Sequence, residues 1–320
     1  MKSIIIIFAG AVLLFGCSEK KRNTPLICFA DAFEDNTLAR AKQGFFDALK
    51  DSGFSEEKKT IEVSYRNAQG NIPTLTQIIN YFISQKPALI ATCPTLPTIT
   101  AVQKTKDIPV FMMVAGTPAL MKLLDKEGKE PMNLFGVGEQ LDYIDTSFLL
   151  IPQIIKPKGE KITVGMIFNQ SEPQSVEAMD RIRTLAQSAD MTLVALPVNS
   201  SADVQLVTAS LLSKNPDVFF ANPDNTVFAS FETIAKSCSE RKVPVMTSEA
   251  GLVERGALAA YGADIYQWGY QSGQQAAQFL KSGNTKELHW ELVKSRKKVF
   301  NKKVADELGI TMPVLFEPIP

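Results

Sequence analysis

The chain has 320 residues, and its 34 Lys plus Arg balance 34 Asp plus Glu, so the formal net charge is zero. This charge gives no basic surplus that would indicate nucleic acid as a partner, and the 45% hydrophobic content is typical of a globular protein. The length allows two lobes of ordinary domain size. A single histidine, His289, argues against histidine-based metal sites and Ser-His-Asp catalysis.

The N-terminus predicts export. Apolar residues run from 4 to 15, which is shorter than the roughly 20 residues that cross a bilayer but suits a signal peptide. Leu14-Phe15-Gly16-Cys17 resembles the cleavage box of bacterial lipoproteins, in which the cysteine becomes an acylated N-terminus. We therefore expect a signal peptide at 1–16, acylation of Cys17 and a tether at 17–24. The alternative is a plain signal peptide in which this cysteine stands by chance.

From residue 25 onwards, apolar runs of strand length alternate with segments of helical periodicity. The first half predicts strands at 25–30, 61–65, 88–92 and 109–114, and helices at 38–49, 75–83 and 99–106. The second half predicts strands at 161–168, 192–198, 217–221, 243–246 and 256–262, and helices at 175–189, 204–212, 227–238 and 266–280. This alternation predicts an α/β fold of two doubly wound parallel-sheet lobes.

The two halves predict a division into lobes. We expect residues 25–138 plus about 265–284 in the N-terminal lobe. The C-terminal lobe should contain residues 139–264 plus about 285–320. The stretch 133–138 is then the expected first crossing between them.

The number and spacing of the cysteines after the predicted signal peptide indicate thiols outside any disulfide framework. They are three in number and widely spaced: Cys28, Cys93 and Cys238. Because this odd count matches neither a disulfide framework nor a zinc pattern, we expect small buried thiols.

Polar side chains follow the predicted strands, where open α/β sheets bind their ligands. These loops carry carboxylates and hydroxyls but no Lys, Arg or His. The carboxylates could accept hydrogen bonds from a ligand ammonium: Glu34, Asp35, Asp224, Glu249 and Asp264. Thr92 and Thr95 precede a helix, where hydroxyls and free N–H groups favour a ligand carboxylate. For each residue alone helix capping is the alternative, whereas the set predicts a cleft for a zwitterion, with Asp224 as the first choice.

Signatures of enzymes are missing from the sequence. It contains no Gly-x-Ser-x-Gly elbow, no phosphate-binding P-loop, no dinucleotide-binding glycine motif and no metal-ligand cluster. We therefore expect a protein that is not an enzyme and has neither a cofactor nor a metal.

Several stretches resemble the type I periplasmic binding proteins of ABC importers, in the lipoprotein group that includes tryptophan- and tyrosine-type binding proteins. The stretches are Tyr65–Gly70, Lys106–Val110, Pro223–Val227, Lys242–Val245, Val253–Ala260, Gly269–Gly273 and Ala305–Pro313. The likeness runs in order over almost the whole mature chain. It implies a clamshell of two lobes, joined by three crossings, with the ligand in the cleft between them.

The resemblance also assigns site residues. Glu34 stands at the family's Glu after the first strand, and Asp35 at a position that is often His. Further residues match the family's motifs: Thr92 and Pro94 in its Ala-Thr-Pro segment, Asp224 and Asn225 on its Asp-Asn pair, and Asp264. Glu249 replaces the usual Asp, and Ala250 removes a carboxylate. The resemblance therefore implies a binding role for these positions, and the departures leave the identity of the ligand open.

The implied function is the extracytoplasmic solute-binding component of an ABC importer, anchored by lipid and monomeric. It would capture a small amino-acid-like ligand, with an aromatic one as an option, by hinge closure, and would deliver it to a permease. The main alternative is a lipid-anchored sensor of the same fold that signals to a receptor. A hydrolase on a two-lobe scaffold is a further alternative, and a cytoplasmic transcriptional regulator is disfavoured because a leader precedes residue 25.

We predict that Cys17→Ser leaves the protein soluble or unprocessed, because the acylated side chain is removed. Fractionation of cells expressing wild type and the variant checks this prediction. A variant that partitions with membranes as wild type does would refute lipid anchoring at Cys17.

Overall fold

The computed structural model describes residues 24–319, so the predicted signal peptide and Cys17 lie outside the described part of the chain. The strands of the first half are β1 (Leu26–Asp31), β2 (Glu62–Asn67), β3 (Leu89–Cys93), β4 (Val110–Gly116) and β5 (Leu134–Glu139). Those of the second half are β6 (Thr163–Asn169), β7 (Thr192–Val198), β8 (Val218–Ala221), β9 (Val245–Glu249) and β10 (Ala259–Ala263). Three short strands follow: β11 (Glu291–Leu292), β12 (Arg296–Phe300) and β13 (Glu317–Pro318).

Helices alternate with these strands. The helices that precede β6 are α1 (Asn36–Asp51), α2 (Ile72–Ser84), α3 (Thr95–Lys104), α4 (Asp142–Leu149) and α5 (Ile151–Ile154). The helices after β6 are α6 (Pro173–Ser188), α7 (Val204–Leu212), α8 (Asn225–Ala229), α9 (Phe231–Glu240), α10 (Gly251–Glu254), α11 (Ile265–Ser282) and α12 (Lys302–Leu308). Within residues 24–319 none of them combines the length and the apolar character that crossing a membrane requires.

The strands form two sheets, which confirms the predicted fold class. The first lobe has the strand order β11-β5-β4-β3-β1-β2, and the second has β13-β12-β10-β9-β8-β6-β7. Pairing is parallel throughout except between β10 and β12. Both halves have their first strand second from one edge, so each sheet is doubly wound around a switch point beside that strand.

Helices cover both faces of each sheet. Strands β1, β3 and β4 are buried along their whole length in the first lobe, as are β8 and β9 in the second. Because neither face meets water, these strands are short continuous apolar runs instead of alternating patterns. Two hydrophobic clusters lie in each lobe, one on either face of its sheet.

Three expectations from the sequence are corrected. Residues 133–138 are not a crossing, because Leu134–Glu139 is strand β5 and pairs with β4. The segment near 285–292 belongs to the first lobe, since β11 pairs with β5, so the last crossing follows Leu292. The predicted helix at 227–238 is two helices that meet at Ser230.

The expectation of small buried thiols is confirmed, since Cys28, Cys93 and Cys238 are all buried. Helix α11 returns from the second lobe to the first and packs on α1. The two backbones touch at glycines: a Cβ on Gly269 would lie 1.8 Å from the carbonyl oxygen of Ala41. A Cβ on Gly273 would lie 2.4 Å from that of Phe45. Any side chain at these positions would push the helices apart.

We predict that Gly269→Ala lowers the free energy of unfolding by roughly 1–3 kcal/mol, because the added methyl group has no space against a backbone carbonyl. Denaturant unfolding followed by circular dichroism measures the loss. Gly159→Ala is the matched control, since a Cβ there meets no atom within 4 Å. Equal stability of the two variants would show that α1 and α11 can separate without loss.

Candidate functional site

The carboxyl ends of the two sheets face each other across a narrow cavity between the lobes. Its volume is about 30 Å³. The first lobe contributes Val114, Ala115, Gly116 and Leu120, and the second contributes Gln174, Pro223, Asn225, Phe228 and Glu249. The wall near the crossings consists of Glu139, Leu141, Tyr143 and Trp268. This location matches the rule that open α/β sheets bind ligands beyond their strand ends.

Glu249, at the end of β9, brings a carboxylate into this cavity. Its residue is 2% exposed. Oε1 accepts a hydrogen bond of 2.8 Å from the Tyr143 hydroxyl. Oε2 has no hydrogen-bond partner among residues 24–319; the hydroxyl of Ser248, which lies close enough to lower the pKa of Glu249, likewise has none. A buried acceptor without a partner is costly, so this oxygen has the capacity to accept a hydrogen bond from a further donor.

Glu139 and Arg296 form an ion pair beside Glu249. Glu139 ends β5 at the first crossing, and Arg296 begins β12 after the last crossing. The Arg296 guanidinium lies 5.0 Å from the centre of the Tyr143 ring, and its Nη1 has no partner within the described chain. The pair therefore joins two crossings and holds the tyrosine that binds Glu249.

The carboxylates at the cavity favour protonation. Burial raises the pKa of Glu249 to about 7; the hydrogen bond from Tyr143 opposes this shift and the charge of Glu139 adds to it. Burial also raises the pKa of Glu139 to about 7, against the attraction of Arg296. A cationic group placed between these carboxylates would favour their charged forms and would lower both pKa values.

The first lobe meets the cavity through a bulge in β4. Its register with β5 shifts between Met112 and Ala115, and Val114 has a φ of +50°. A β-branched residue rarely adopts this left-handed conformation, which stores roughly 1–3 kcal/mol of strain. The bulge directs the backbone of Ala115 and Gly116 toward the cavity, as bulges beside functional sites commonly do. The sequence gives no signal for this feature.

Asp224 is a buried helix cap and does not line the cavity. Oδ1 accepts hydrogen bonds from the backbone N–H groups of Thr226 and Val227, at 2.7 and 3.0 Å. Oδ2 accepts from the N–H of Asn169, at 2.6 Å, and from the Ser175 hydroxyl. Because both oxygens are occupied, we do not retain Asp224 as a ligand contact. Capping, the alternative weighed from the sequence, accounts for this residue.

Three other predicted acidic residues also lie outside the cavity lining. Glu34 is exposed. Asp264 caps α11 and binds Lys297 at 2.9 Å, next to the second crossing. Asp35 caps α1 and binds Arg255 of the second lobe at 2.6 Å. Of the five predicted carboxylates, only Glu249 faces the cavity.

The remaining predicted site residues are Thr92, Pro94, Thr95 and Asn225, and only some of them lie at the cleft. Thr92 is buried and pairs with Thr98 at 2.8 Å, which is a structural contact at the start of α3. Thr95 donates to Gln174 across the cleft at 2.8 Å. Asn225 lines the cavity, and its Nδ2 donates to Glu172 at 2.7 Å. Pro94 directly precedes α3 and is buried.

Sequence reasoning missed six residues of the site: Glu139, Tyr143, Gln174, Phe228, Trp268 and Arg296. One signal was present, because reading 134–138 as a strand would have placed Glu139 directly after a buried strand. Trp268 reaches the cavity because α11 crosses between lobes, and its Nε1 donates to the carbonyl oxygen of Val137 at 2.8 Å. No group of His, Cys, Asp or Glu within residues 24–319 could hold a metal ion.

We predict that the ligand-free protein loses stability between pH 5 and pH 8. The pKa of Glu249 is about 7 in the fold, against an ordinary 4.5. The folded state therefore binds this proton more tightly, and the stabilisation present below pH 4.5 is lost as the pH rises through 7. Glu249→Gln should reduce the loss by roughly 1–3 kcal/mol.

Denaturant unfolding of wild type and variant at both pH values measures this difference. The control is Glu240→Gln, since Glu240 is exposed and its removal should leave the pH dependence unchanged. A Glu249→Gln variant with the wild-type slope would show that Glu249 does not carry the raised pKa.

Several known proteins are similar to this chain in sequence or in fold. The chain is 33% identical over 267 residues to the tyrosine-binding protein of Clostridioides difficile, covering 82% of this chain and 74% of the relative. An ABC domain from Streptococcus pneumonia solved in complex with L-Trp superposes with a TM-score of 0.80 at 24% identity, covering 91% of this chain and 96% of that one.

A second solved structure superposes less closely at higher identity. It is the ligand-free, open structure of a substrate binding protein with adhesive properties from Clostridium difficile, with a TM-score of 0.68 at 27% identity. The match covers 92% of this chain and 99% of that one. The profile of the family described as ABC transporter substrate binding protein matches residues 27–316. Since this match spans nearly the whole described chain, the protein belongs to the ABC transporter substrate-binding protein family.

Proposed function

We propose that this protein captures an aromatic amino acid in the cleft and delivers it to an ABC importer. The observation that carries the proposal is the buried Oε2 of Glu249, which has no hydrogen-bond partner within residues 24–319 and belongs to a residue that lines a cavity between two lobes. The names of the similar proteins, tyrosine-binding and L-Trp-bound, support the ligand class. Membership of the substrate-binding family favours an importer over the sensor.

The ligand ammonium would bind Glu249. An ammonium offers three donors, and a charge-assisted hydrogen bond to a buried carboxylate contributes about 1.5–3 kcal/mol. Tyr143 fixes the orientation of the carboxylate by donating to its other oxygen. The cation would also offset the mutual repulsion of Glu249 and Glu139.

The ligand side chain would lie among aromatic rings. Phe228 of the second lobe, Tyr143 near the first crossing and Trp268 of α11 all line the cavity. Each of these residues is less than 9% exposed, so their faces are available only to a group within the cleft. Offset or edge-to-face contacts between aromatic rings contribute about 0.5–1.5 kcal/mol beyond the area buried. An aromatic ligand therefore fits this wall better than an aliphatic one.

The ligand carboxylate would bind where Thr95 and Gln174 meet. Thr95 is the first residue of α3, and Gln174 is the second residue of α6, one from each lobe. Helix N-termini favour negative charge, because their first N–H groups are free and the dipole is positive there. A ligand carboxylate between Thr95 and Gln174 would replace their direct hydrogen bond with one hydrogen bond to each of them.

Hinge closure follows from the size of the cavity. Its 30 Å³ is far below the roughly 300–1,000 Å³ of small-molecule pockets, so an amino acid can bind only if the lobes move apart first. The better superposition on the L-Trp complex than on the open structure supports a closed arrangement here. Three crossings between the lobes supply the hinge.

The proposed role as a substrate-binding protein requires a location outside the cytoplasm. Family members work outside the cytoplasm, and the predicted signal peptide and Cys17 provide export and a lipid anchor. A lipid anchor would keep the loaded protein near its permease.

We predict that isothermal titration calorimetry detects binding of tyrosine, tryptophan or phenylalanine to the mature chain. Glu249→Gln should weaken that binding by about ten- to a hundredfold, because it removes a charge-assisted hydrogen bond in a closed cleft. Glu34→Gln should change it less than twofold, roughly, since Glu34 is exposed and outside the cavity lining.

Two outcomes would contradict the proposal. Binding of a sugar or nucleoside but of no amino acid would exclude the ligand class and keep the solute-binding role. Wild-type affinity in Glu249→Gln would remove Glu249 from the site.

A further inference from the structure

One ion pair connects the lobes without lining the ligand cavity. Arg255, which follows α10 in the second lobe, donates through Nη1 to Asp35 at the start of α1 in the first lobe, at 2.6 Å. The side chains of Arg255 and Asp35 are 10% and 2% exposed. Because the partners lie on different lobes, this contact exists only when the lobes are together.

Each partner is held by its own lobe. Oδ1 of Asp35 accepts from the N–H of Leu38 at 2.9 Å, which leaves Oδ2 for Arg255. Arg255 donates to Glu232 at 2.7 and 2.8 Å and to the carbonyl oxygen of Phe228 at 2.8 Å. Both groups are thus oriented before closure, so little side-chain freedom is lost when they meet.

The surroundings of the pair are closely packed. A Cβ on Gly251, the first residue of α10, would lie 2.3 Å from Cγ2 of Thr37 in α1. The hydroxyl of Thr37 accepts a further hydrogen bond from Arg255, at 3.1 Å. Because the side chains of Asp35 and Arg255 are largely buried, solvent screens the interaction between their charges less than at the surface.

The pair is also connected to the ligand cavity. Phe228 lines the cavity, and its carbonyl oxygen accepts a hydrogen bond from Arg255. Arg255 therefore contacts the wall of the cleft in one lobe and the helix start of the other.

We propose that the Asp35–Arg255 pair is a cross-lobe latch, which sets ligand affinity by stabilising the closed arrangement without touching the ligand. The ligand enters while the lobes are apart and the complex then closes around it, so apparent affinity rises with the stability of the closed complex. Breaking the pair leaves a charge that must be buried on closure without its partner, whereas in the open arrangement water solvates that charge. Breaking the pair therefore destabilises the closed arrangement and leaves the stability of the open arrangement unchanged.

The test compares Asp35→Asn, Arg255→Gln and the double variant. Asn is as good a helix cap as Asp, so Asp35→Asn removes the charge and keeps the start of α1. Each single variant should bind tyrosine about ten- to a hundredfold more weakly. Arg255→Gln should weaken tyrosine binding more than Asp35→Asn does. It leaves Asp35 without a cationic partner, whereas in Asp35→Asn the guanidinium of Arg255 still pairs with Glu232. The double variant should weaken tyrosine binding by a factor much smaller than the product of the factors for the two single variants.

Arg40→Gln is the matched control. Arg40 and Glu254 form a second cross-lobe ion pair, but their side chains are 37% and 47% exposed. Exposed pairs contribute little, so this variant should keep wild-type affinity. Wild-type affinity in Asp35→Asn and Arg255→Gln as well would overturn the latch.

The latch rests on the proposed function for its affinity readout, and small-angle scattering separates the two. Without ligand, Asp35→Asn and Arg255→Gln should have larger radii of gyration than wild type and Arg40→Gln. If wild type binds no tyrosine, the proposed ligand fails and the scattering comparison alone decides the latch. Equal radii in all four proteins would then refute it.

Discussion

Burial of a carboxylate without a full set of partners is unfavourable, and the cleft of this protein is organised around such a group. One oxygen of Glu249 receives the Tyr143 hydroxyl, while the other has no partner in residues 24–319. The Glu139–Arg296 pair holds the surrounding charges in place and joins the crossings of the chain. A ligand ammonium would satisfy the free oxygen and lower the pKa of both carboxylates, so binding and closure would share one source of free energy.

Sheet topology explains why this group lies between the lobes. Parallel strands place their carboxyl ends at one edge, and the two sheets turn those edges toward each other. Contacts then form from lobe to lobe at separate points: Thr95 with Gln174, and Asp35 with Arg255. The ligand carboxylate would replace the Thr95–Gln174 hydrogen bond, whereas the Asp35–Arg255 pair would remain. Specificity and the additional stabilisation of the closed arrangement would therefore depend on different residues.

The sequence predicted most of the fold because buried parallel strands are continuous apolar runs and their helices are periodic. The crossing predicted at 133–138 is instead strand β5, because a short strand that leads into a crossing has a sequence pattern similar to that of a linker. The site was harder, because capping and ligand binding select the same residue types. Asp224 and Asp264 proved to be caps, whereas Glu249 faces the cavity. Arg296 and Trp268 reach the cleft through crossings late in the chain, which local patterns do not reveal.

A crystal structure of the mature chain with tyrosine tests the central claim most directly. The account predicts a ligand between the lobes, with its amino nitrogen about 2.7–3.2 Å from Oε2 of Glu249. Its ring should contact Tyr143, Phe228 and Trp268. A ligand whose amino group binds another carboxylate while Oε2 of Glu249 keeps no partner would contradict the account.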